Sequence, residues 1–113
     1  MKVVLFAYHE IGAATLEALL ASDAEVLAVF THRDDPGEGN WFRSVARIAS
    51  EHGIPVHAPE SANHPLWIDR IREMGPDAIV SAHYRQMIGR DVLALCPDRC
   101  FNLHASLLPR FRG

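Results

Sequence analysis

Lys2-Val3-Val4-Leu5-Phe6-Ala7 (KVVLFA) is the segment from which the architecture of this protein follows. An uninterrupted apolar run of this length is typical of a parallel strand that helices cover on both faces. A strand with one solvent-exposed face has alternating apolar and polar residues instead. Residues 8–12 follow as a strand-to-helix turn. Beyond the turn, a helical stripe of apolar residues predicts the first helix: Ile11, Leu16, Leu19 and Leu20.

The same alternation of apolar strands and helical segments continues along the chain. Further strands are predicted over residues 25–31, 54–58, 77–82 and 100–103, with helices over residues 41–52, after Pro65 and around residues 91–95. Strands that alternate with helices form parallel sheets with right-handed crossovers. We therefore predict one α/β domain over residues 1–113. It has a Rossmann-like parallel sheet with helices on both faces and the strand order 3-2-1-4-5.

This topology also predicts where a ligand binds. Open parallel sheets bind ligands at the carboxyl ends of the strands, beside the point where the strand order reverses. Residues 8–9, 83–88 and 102–104 would lie there. The first turn has only Gly12 and lacks the Gly-x-Gly-x-x-Gly pattern, so the sequence predicts no dinucleotide cofactor despite the fold.

Composition and charge exclude several classes of function. A net charge of -3 offers no general basic surface for nucleic acid. Arg110 and Arg112 form a local basic pair, which either holds an anionic group or is solvated. Asp34 and Asp35 read as a solvated turn rather than a cation site.

Cysteine and histidine spacing predicts no metal site. Cys96 and Cys100 form a single C-x3-C pair without a second pair, and the seven histidines have no metal-binding spacing. Two reduced cysteines indicate a cytoplasmic protein. No apolar run approaches the roughly 18 residues of a membrane helix, so we expect no membrane span.

Asn102 and His104 are the strongest catalytic candidates. Residues two apart on a strand share a face, so a carboxamide donor would lie beside an imidazole base. Acyl transfer needs both groups, one to stabilise the developing oxyanion and one to accept a proton. On spacing alone the alternative is a polar strand end, in which Asn102 caps a turn and His104 bonds to the backbone.

The residues that follow His104 carry a more specific resemblance. Together with Asn102, His104-Ala-Ser-Leu-Leu-Pro109 and Gly113 resemble the signature Asn-x-His-x-Ser-Leu-Leu-Pro-x-x-x-Gly of the folate-dependent formyltransferases. The resemblance implies formyl transfer from 10-formyltetrahydrofolate to an amine. The resemblance implies that His104 is the general acid/base and that Asn102 donates a hydrogen bond to the oxyanion. The resemblance assigns the remaining site residues as follows: Gln86, Met87 and Ile88 bind the folate, and Tyr8, His9 and Arg110 bind the acceptor substrate.

Within this family the similarity is greatest to the members that formylate UDP-4-amino-4-deoxy-L-arabinose, on residues 6–9, 30–32, 53–56 and 63–67. It implies a small-molecule nucleotide-sugar substrate, lipid A modification and antibiotic resistance, and a second enzymatic domain fused to or associated with this one. The alternatives are methionyl-tRNA or another amine as acceptor, or a folate- or nucleotide-binding module without catalysis.

The resemblance also implies an aspartate, well downstream, that orients the histidine. Because residues 1–113 end before it, we expect them to form the N-terminal, folate-binding part of a formyltransferase domain. We expect this truncated part alone to be weakly active or inactive.

Overall fold

Five parallel strands form a single sheet in the computed structural model, which describes residues 1–33 and 43–103. The strands are β1 (Lys2–Ala7), β2 (Glu25–Phe30), β3 (Val56–His57), β4 (Ala78–Ala82) and β5 (Cys100–Leu103). Their order across the sheet is β3-β2-β1-β4-β5. The predicted order 3-2-1-4-5 is confirmed, and it reverses between β1 and β4.

Four helices in the described residues pack against the two faces of the sheet. They are α1 (His9–Leu20), α2 (Val45–Glu51), α3 (Pro65–Met74) and α4 (Arg90–Leu93). On one face α1 and α2 contribute Ala13, Leu16, Val45 and Ala49 to the core. On the other, α3 and α4 contribute Ile68, Ile71 and Val92. The prediction of helices on both faces is therefore confirmed.

The apolar run of β1 is explained by these two cores. Val3, Leu5 and Ala7 face α1 and α2, whereas Val4 and Phe6 face α3 and α4. Side chains alternate between the faces of a strand, and here both faces are covered. A strand buried on both sides cannot place a polar residue on either, so five successive apolar residues are required.

Helix α1 begins earlier than the sequence indicated. Residues 8–12 were predicted as a turn, but only Tyr8 separates β1 from α1. Gly12 allows this tight connection. A Cβ atom on Gly12 would lie 3.0 Å from both the carbonyl carbon and the Cβ of Ala7, and 3.2 Å from Cγ2 of Val45. The glycine therefore serves close packing of α1 on β1.

Helix α2 begins at Val45 because the Ser44 side chain accepts a hydrogen bond from the Arg47 N–H, 3.1 Å away, and caps it. Of the predicted helix over residues 41–52, residues 41 and 42 lie outside the described ranges. Gly53 follows the helix with φ +69°, the left-handed conformation in which glycine commonly ends a helix. Arg43 ties the segment before α2 to Glu10 and Glu17 of α1.

Strand β3 is shorter than the predicted strand over residues 54–58. The Ile54 N–H donates to the carbonyl of Ala49 at the end of α2, so it is not available to the sheet. Pro55 has no N–H to donate. Regular pairing is therefore restricted to Val56 and His57. Helix α3 ends at Gly75, whose φ of +66° is the left-handed conformation typical of a glycine that follows a helix. Within the described part of the chain, no helix has the length and hydropathy to cross a membrane.

Candidate active site

The carboxyl ends of β1 and β4 lie side by side where the strand order reverses. The Tyr8 N–H donates to the carbonyl of Ala82 across 3.1 Å, which extends the pairing one residue beyond β1. His9 and His83 follow, with φ of +64° and +60°, and their ring centroids are 5.3 Å apart. A positive φ is uncommon outside glycine, and such backbone strain concentrates at functional sites.

A cavity of about 350 Å³ opens beside these ends, between β4, β5 and the segment that follows β4. Ser81 and Asn102 are register partners on β4 and β5, and both line the cavity. Gln86, Met87 and Ile88 line it from the opposite segment. The structure thus brings four of the predicted site residues, one catalytic and three folate-binding, to a single cavity.

The wall of this cavity is largely apolar and open. Met87 is 86% exposed and Phe101 is 52% exposed. Ile88 packs half-buried against the core formed with α3 and α4. Exposed apolar side chains that line the same cavity are consistent with a ligand-binding surface. A flat aromatic ring system could cover Met87 and Phe101 while the strand ends supply polar groups.

The Gln86 side chain is engaged by the protein. Its Nε2 donates to the Glu60 carbonyl across 2.6 Å, and its Oε1 accepts from the Ala62 N–H across 3.3 Å. Polar contacts from this segment to a ligand would therefore come from the backbone. Asn63, to which no role was assigned from the sequence, bonds from the segment before α3 to the segment after β4. Its Nδ2 donates to the Met87 carbonyl across 2.8 Å, and its Oδ1 accepts from the Gly89 N–H across 2.6 Å.

Tyr8 is buried, with 1% of its surface exposed. Its hydroxyl donates to the Arg33 carbonyl across 3.4 Å, and the Arg85 guanidinium lies over its ring, 4.7 Å from the centroid. The predicted role for Tyr8 was contact with the acceptor substrate. In this arrangement its ring supports the strand end, whereas His9, half-buried at the start of α1, borders the site.

Tyr84 lies between the core and the cavity. Its ring stacks on His32 with centroids 4.4 Å apart and meets the edge of Phe6 at 5.3 Å. Burial raises the pKa of Tyr84 to about 12, so its phenol stays neutral at physiological pH. The ring face of Tyr84 therefore packs on His32, and the side chain also lines the cavity.

His32 was not recognised as a site residue from the sequence. Its Nε2 accepts a hydrogen bond from the Arg85 N–H across 3.0 Å, and its ring meets Tyr8 edge-on at 5.1 Å. Burial, and then the nearby charge of Arg85, lower the pKa of His32. A neutral imidazole therefore holds the ends of β1, β2 and β4 together. The motif Phe-Thr-His at a strand end was the only available signal.

Cys100 lines the cavity, but its environment argues against nucleophilic chemistry. Its thiol donates to the Cys96 carbonyl across 3.0 Å. Burial is the main cause that raises the pKa of both Cys96 and Cys100. The thiolate is the reactive form of cysteine, and both side chains here favour the thiol. Both cysteines are free.

Two of the predicted site residues, His104 and Arg110, lie outside the described residues, as do Asp34 and Asp35. Across residues 1–33 and 43–103, no cluster of three or more histidine, cysteine, aspartate or glutamate side chains could hold a metal ion. The chemistry available in the described part of the site therefore consists of amide, hydroxyl and imidazole groups around an apolar wall.

Comparison with known families agrees with this geometry. The profile of the family described as formyl transferase matches residues 1–113. The chain belongs to the formyl transferase family. The family expected from the signature that begins at Asn102 is thereby confirmed, while the nucleotide-sugar acceptor stays a prediction.

Solved structures of similar fold include enzymes with different names. Phosphoribosylglycinamide formyltransferase from Bacillus halodurans is 25% identical, with a TM-score of 0.73 over 100% of this chain and 60% of its own. Glycinamide ribonucleotide transformylase 1 from Symbiobacterium toebii is 21% identical, with a TM-score of 0.73 over 100% of this chain and 55% of its own.

A third similar structure is formyltetrahydrofolate deformylase from Burkholderia mallei. It is 23% identical, with a TM-score of 0.67 over 99% of this chain and 40% of its own. This formyl transferase chain thus spans at most 60% of the length of these three proteins.

Proposed function

We propose that this chain provides the donor-binding part and the catalytic pair of an enzyme that transfers a formyl group from 10-formyltetrahydrofolate to an amine. One observation carries the proposal. Asn102, at the end of β5, lines the same cavity as Gln86, Met87 and Ile88. The residue that the resemblance assigns to the oxyanion and the three that it assigns to the folate therefore border one space, which supports these roles. Family membership agrees with this chemistry.

The cavity suits the donor in size and character. Its volume of about 350 Å³ falls within the range of small-molecule sites. Met87 and Phe101 offer an apolar surface to a pteridine ring. Polar groups are available from Ser81, Asn102 and the backbone that follows β4. The edges of the pteridine ring could therefore form hydrogen bonds while its faces contact apolar side chains.

The catalytic roles follow from the chemistry of formyl transfer. The acceptor nitrogen must attack the formyl carbon as a free amine. His104 would accept the proton that this nitrogen loses and return one to the departing folate nitrogen. The Asn102 carboxamide would donate to the formyl oxygen as negative charge develops there. Such acid/base help contributes about 10²–10⁴ in rate, and one oxyanion donor roughly 10²–10³.

The proposed acceptor is a UDP-4-amino-4-deoxy-L-arabinose-like nucleotide sugar. Its support is the local sequence similarity around residues 6–9 and 63–67, and His9 and Arg110 are the proposed contacts. Glycinamide ribonucleotide is the second candidate, because two proteins of similar fold carry that substrate in their names.

The test is tetrahydrofolate release from 10-formyltetrahydrofolate by the complete protein. Each reaction contains the nucleotide sugar, glycinamide ribonucleotide, methionyl-tRNA or no acceptor. We expect release only with the nucleotide sugar. Release of tetrahydrofolate without any acceptor would indicate hydrolysis and contradict the proposed transfer. Release only with another amine would identify that amine as the acceptor in place of the nucleotide sugar.

Variants of the catalytic pair test the mechanism. We expect His104→Ala to lower kcat by about 10²–10⁴ and Asn102→Ala by roughly 10²–10³, because each removes one group that acts in the transition state. Asn102→Asp is the matched control for shape, since it keeps the size but removes the donor. Thermal unfolding should show that all three fold. A double variant as active as the wild type would refute the mechanism.

A further inference from the structure

Two carboxamide side chains join the segment before α3 to the segment after β4. Gln86 reaches across to the backbone of Glu60 and Ala62. In the opposite direction, Asn63 Nδ2 donates to the Met87 carbonyl across 2.8 Å, and Asn63 Oδ1 accepts from the Gly89 N–H across 2.6 Å. We call Gln86 and Asn63 the carboxamide clasp. Its four hydrogen bonds span residues 24 to 26 positions apart in sequence.

The first side of the clasp is anchored by burial and hydrogen bonds. Ala62 is 1% exposed, and the N–H of Asn63 is itself held by the Ser61 hydroxyl at 3.2 Å. Helix α3 starts two residues later and is anchored in the core through Ile68 and Ile71. The segment at residues 60–63 can therefore act as a fixed support for a neighbouring loop.

The second side of the clasp is the wall of the cavity. Met87 is 86% exposed and makes little use of core packing, so the shape of its backbone depends on hydrogen bonds. A carboxamide suits this position because its donor and acceptor are on separate atoms: Nδ2 can donate to the Met87 carbonyl while Oδ1 accepts from the Gly89 N–H. Gly89 shows how closely the two sides approach, because a Cβ there would lie 2.8 Å from Oδ1 of Asn63.

We propose that Asn63 is a positioning residue for donor binding. It holds the backbone of Met87 and Gly89 in the shape that receives the folate, without touching the folate or the reacting atoms itself. The inference rests on the proposed function, since it assumes that the wall formed by Gln86, Met87 and Ile88 binds the donor. A pre-shaped wall binds tightly because the cost of ordering the loop is met during folding.

The experiment measures the Kd of the complete protein for 5-formyltetrahydrofolate, a stable analogue of the donor. We expect Asn63→Ala to raise this Kd about tenfold, the effect of losing roughly one net hydrogen bond. Asn63→Asp should raise it at least as much, because it keeps the size but turns an oxygen toward the Met87 carbonyl. The KM for the donor should rise accordingly, while kcat at saturating donor stays near the wild-type value.

Two further variants separate positioning from a general loss of stability. Ser44→Ala removes the cap of α2 on the opposite face of the sheet and should leave the Kd unchanged. Gly89→Ala should push the Asn63 carboxamide away and weaken binding through the same contact. In the double variant with Asn63→Ala, the two effects should therefore not add.

The outcomes are distinct. If the wild-type protein binds 5-formyltetrahydrofolate and Asn63→Asp binds it with the same Kd, the positioning role is overturned while the proposed function stands. Full additivity between Asn63→Ala and Gly89→Ala would also overturn it. If the wild-type protein does not bind 5-formyltetrahydrofolate, both the proposed function and this inference fail.

Discussion

His32 connects three strand ends through one imidazole ring. It follows β2 closely, stacks on Tyr84 beyond β4 and meets Tyr8 beyond β1. Its Nε2 can accept the Arg85 N–H only while unprotonated. The arrangement therefore depends on a neutral side chain, and the Arg85 guanidinium nearby adds an electrostatic penalty for protonation.

The pKa of His32 predicts how stability depends on pH. Burial lowers this pKa below its usual value of 6.5 in the folded state, so the unfolded chain binds the proton more readily. The contribution of His32 to stability is therefore fully present above about pH 6.5 and decreases as the pH falls below that value. His57, whose pKa burial also lowers, should contribute in the same direction.

The measurement is the urea midpoint of unfolding between about pH 8 and about pH 5. We expect His32→Phe to reduce the loss of stability across this range, because the ring is kept but cannot be protonated. His57→Phe is the companion variant and should reduce the remainder. An unchanged pH dependence in His32→Phe would contradict the assignment.

At the scale of elements, α1 packs closely on β1. A single residue, Tyr8, separates the end of β1 from the start of α1. Gly12 lies against the backbone of Ala7 and the Val45 side chain. A glycine inside a helix costs about 1 kcal/mol relative to alanine. Its presence here is explained by the close approach, since neither a strand backbone nor a buried valine can move aside easily.

Gly12→Ala should therefore destabilise the protein by about 1–3 kcal/mol, because overpacking outweighs the helix propensity that alanine adds. The check is the free energy of unfolding in urea. Ala14→Gly, on the exposed side of the same helix, measures the propensity effect alone and should cost about 1 kcal/mol. A Gly12→Ala variant more stable than the wild type would show that the helix can shift.

At the scale of the whole molecule, the cavity is shared by β4, β5, the segment at residues 83–88 and Leu93 of α4. No single element forms it, so a ligand there would contact groups that separate when the chain unfolds. Ligand binding to such a site stabilises the entire fold rather than one region.

We therefore expect 5-formyltetrahydrofolate, at about 100 times its Kd, to raise the free energy of unfolding by about 2.7 kcal/mol. The measurement is the urea midpoint with and without the ligand. Sodium glutamate at the same ionic strength is the control and should have a much smaller effect. An identical midpoint with and without the folate would contradict a donor site in this cavity.

The architecture could be predicted because its signals are local. The apolar run at residues 2–7, the glycines after α2 and α3 and the regular alternation of strands and helices are all contiguous patterns. Element boundaries were less predictable. Helix α1 reaches back to His9 where Gly12 allows close packing on β1, and β3 shrinks to two residues because the Ile54 N–H bonds to the end of α2.

By itself, the sequence determined the family and the strand that carries Asn102, since both depend on residue types at short spacing. The sheet order was predicted from the usual strand order of the α/β class that the sequence indicated. Only the tertiary structure decided that Asn63 supports the wall formed by residues 86–88, that Tyr8 is buried and that His32 joins the strand ends. Those contacts link residues 24 or more positions apart. Hydrogen bonding and ring packing at such separations depend on the distance between folded elements, which no local pattern encodes.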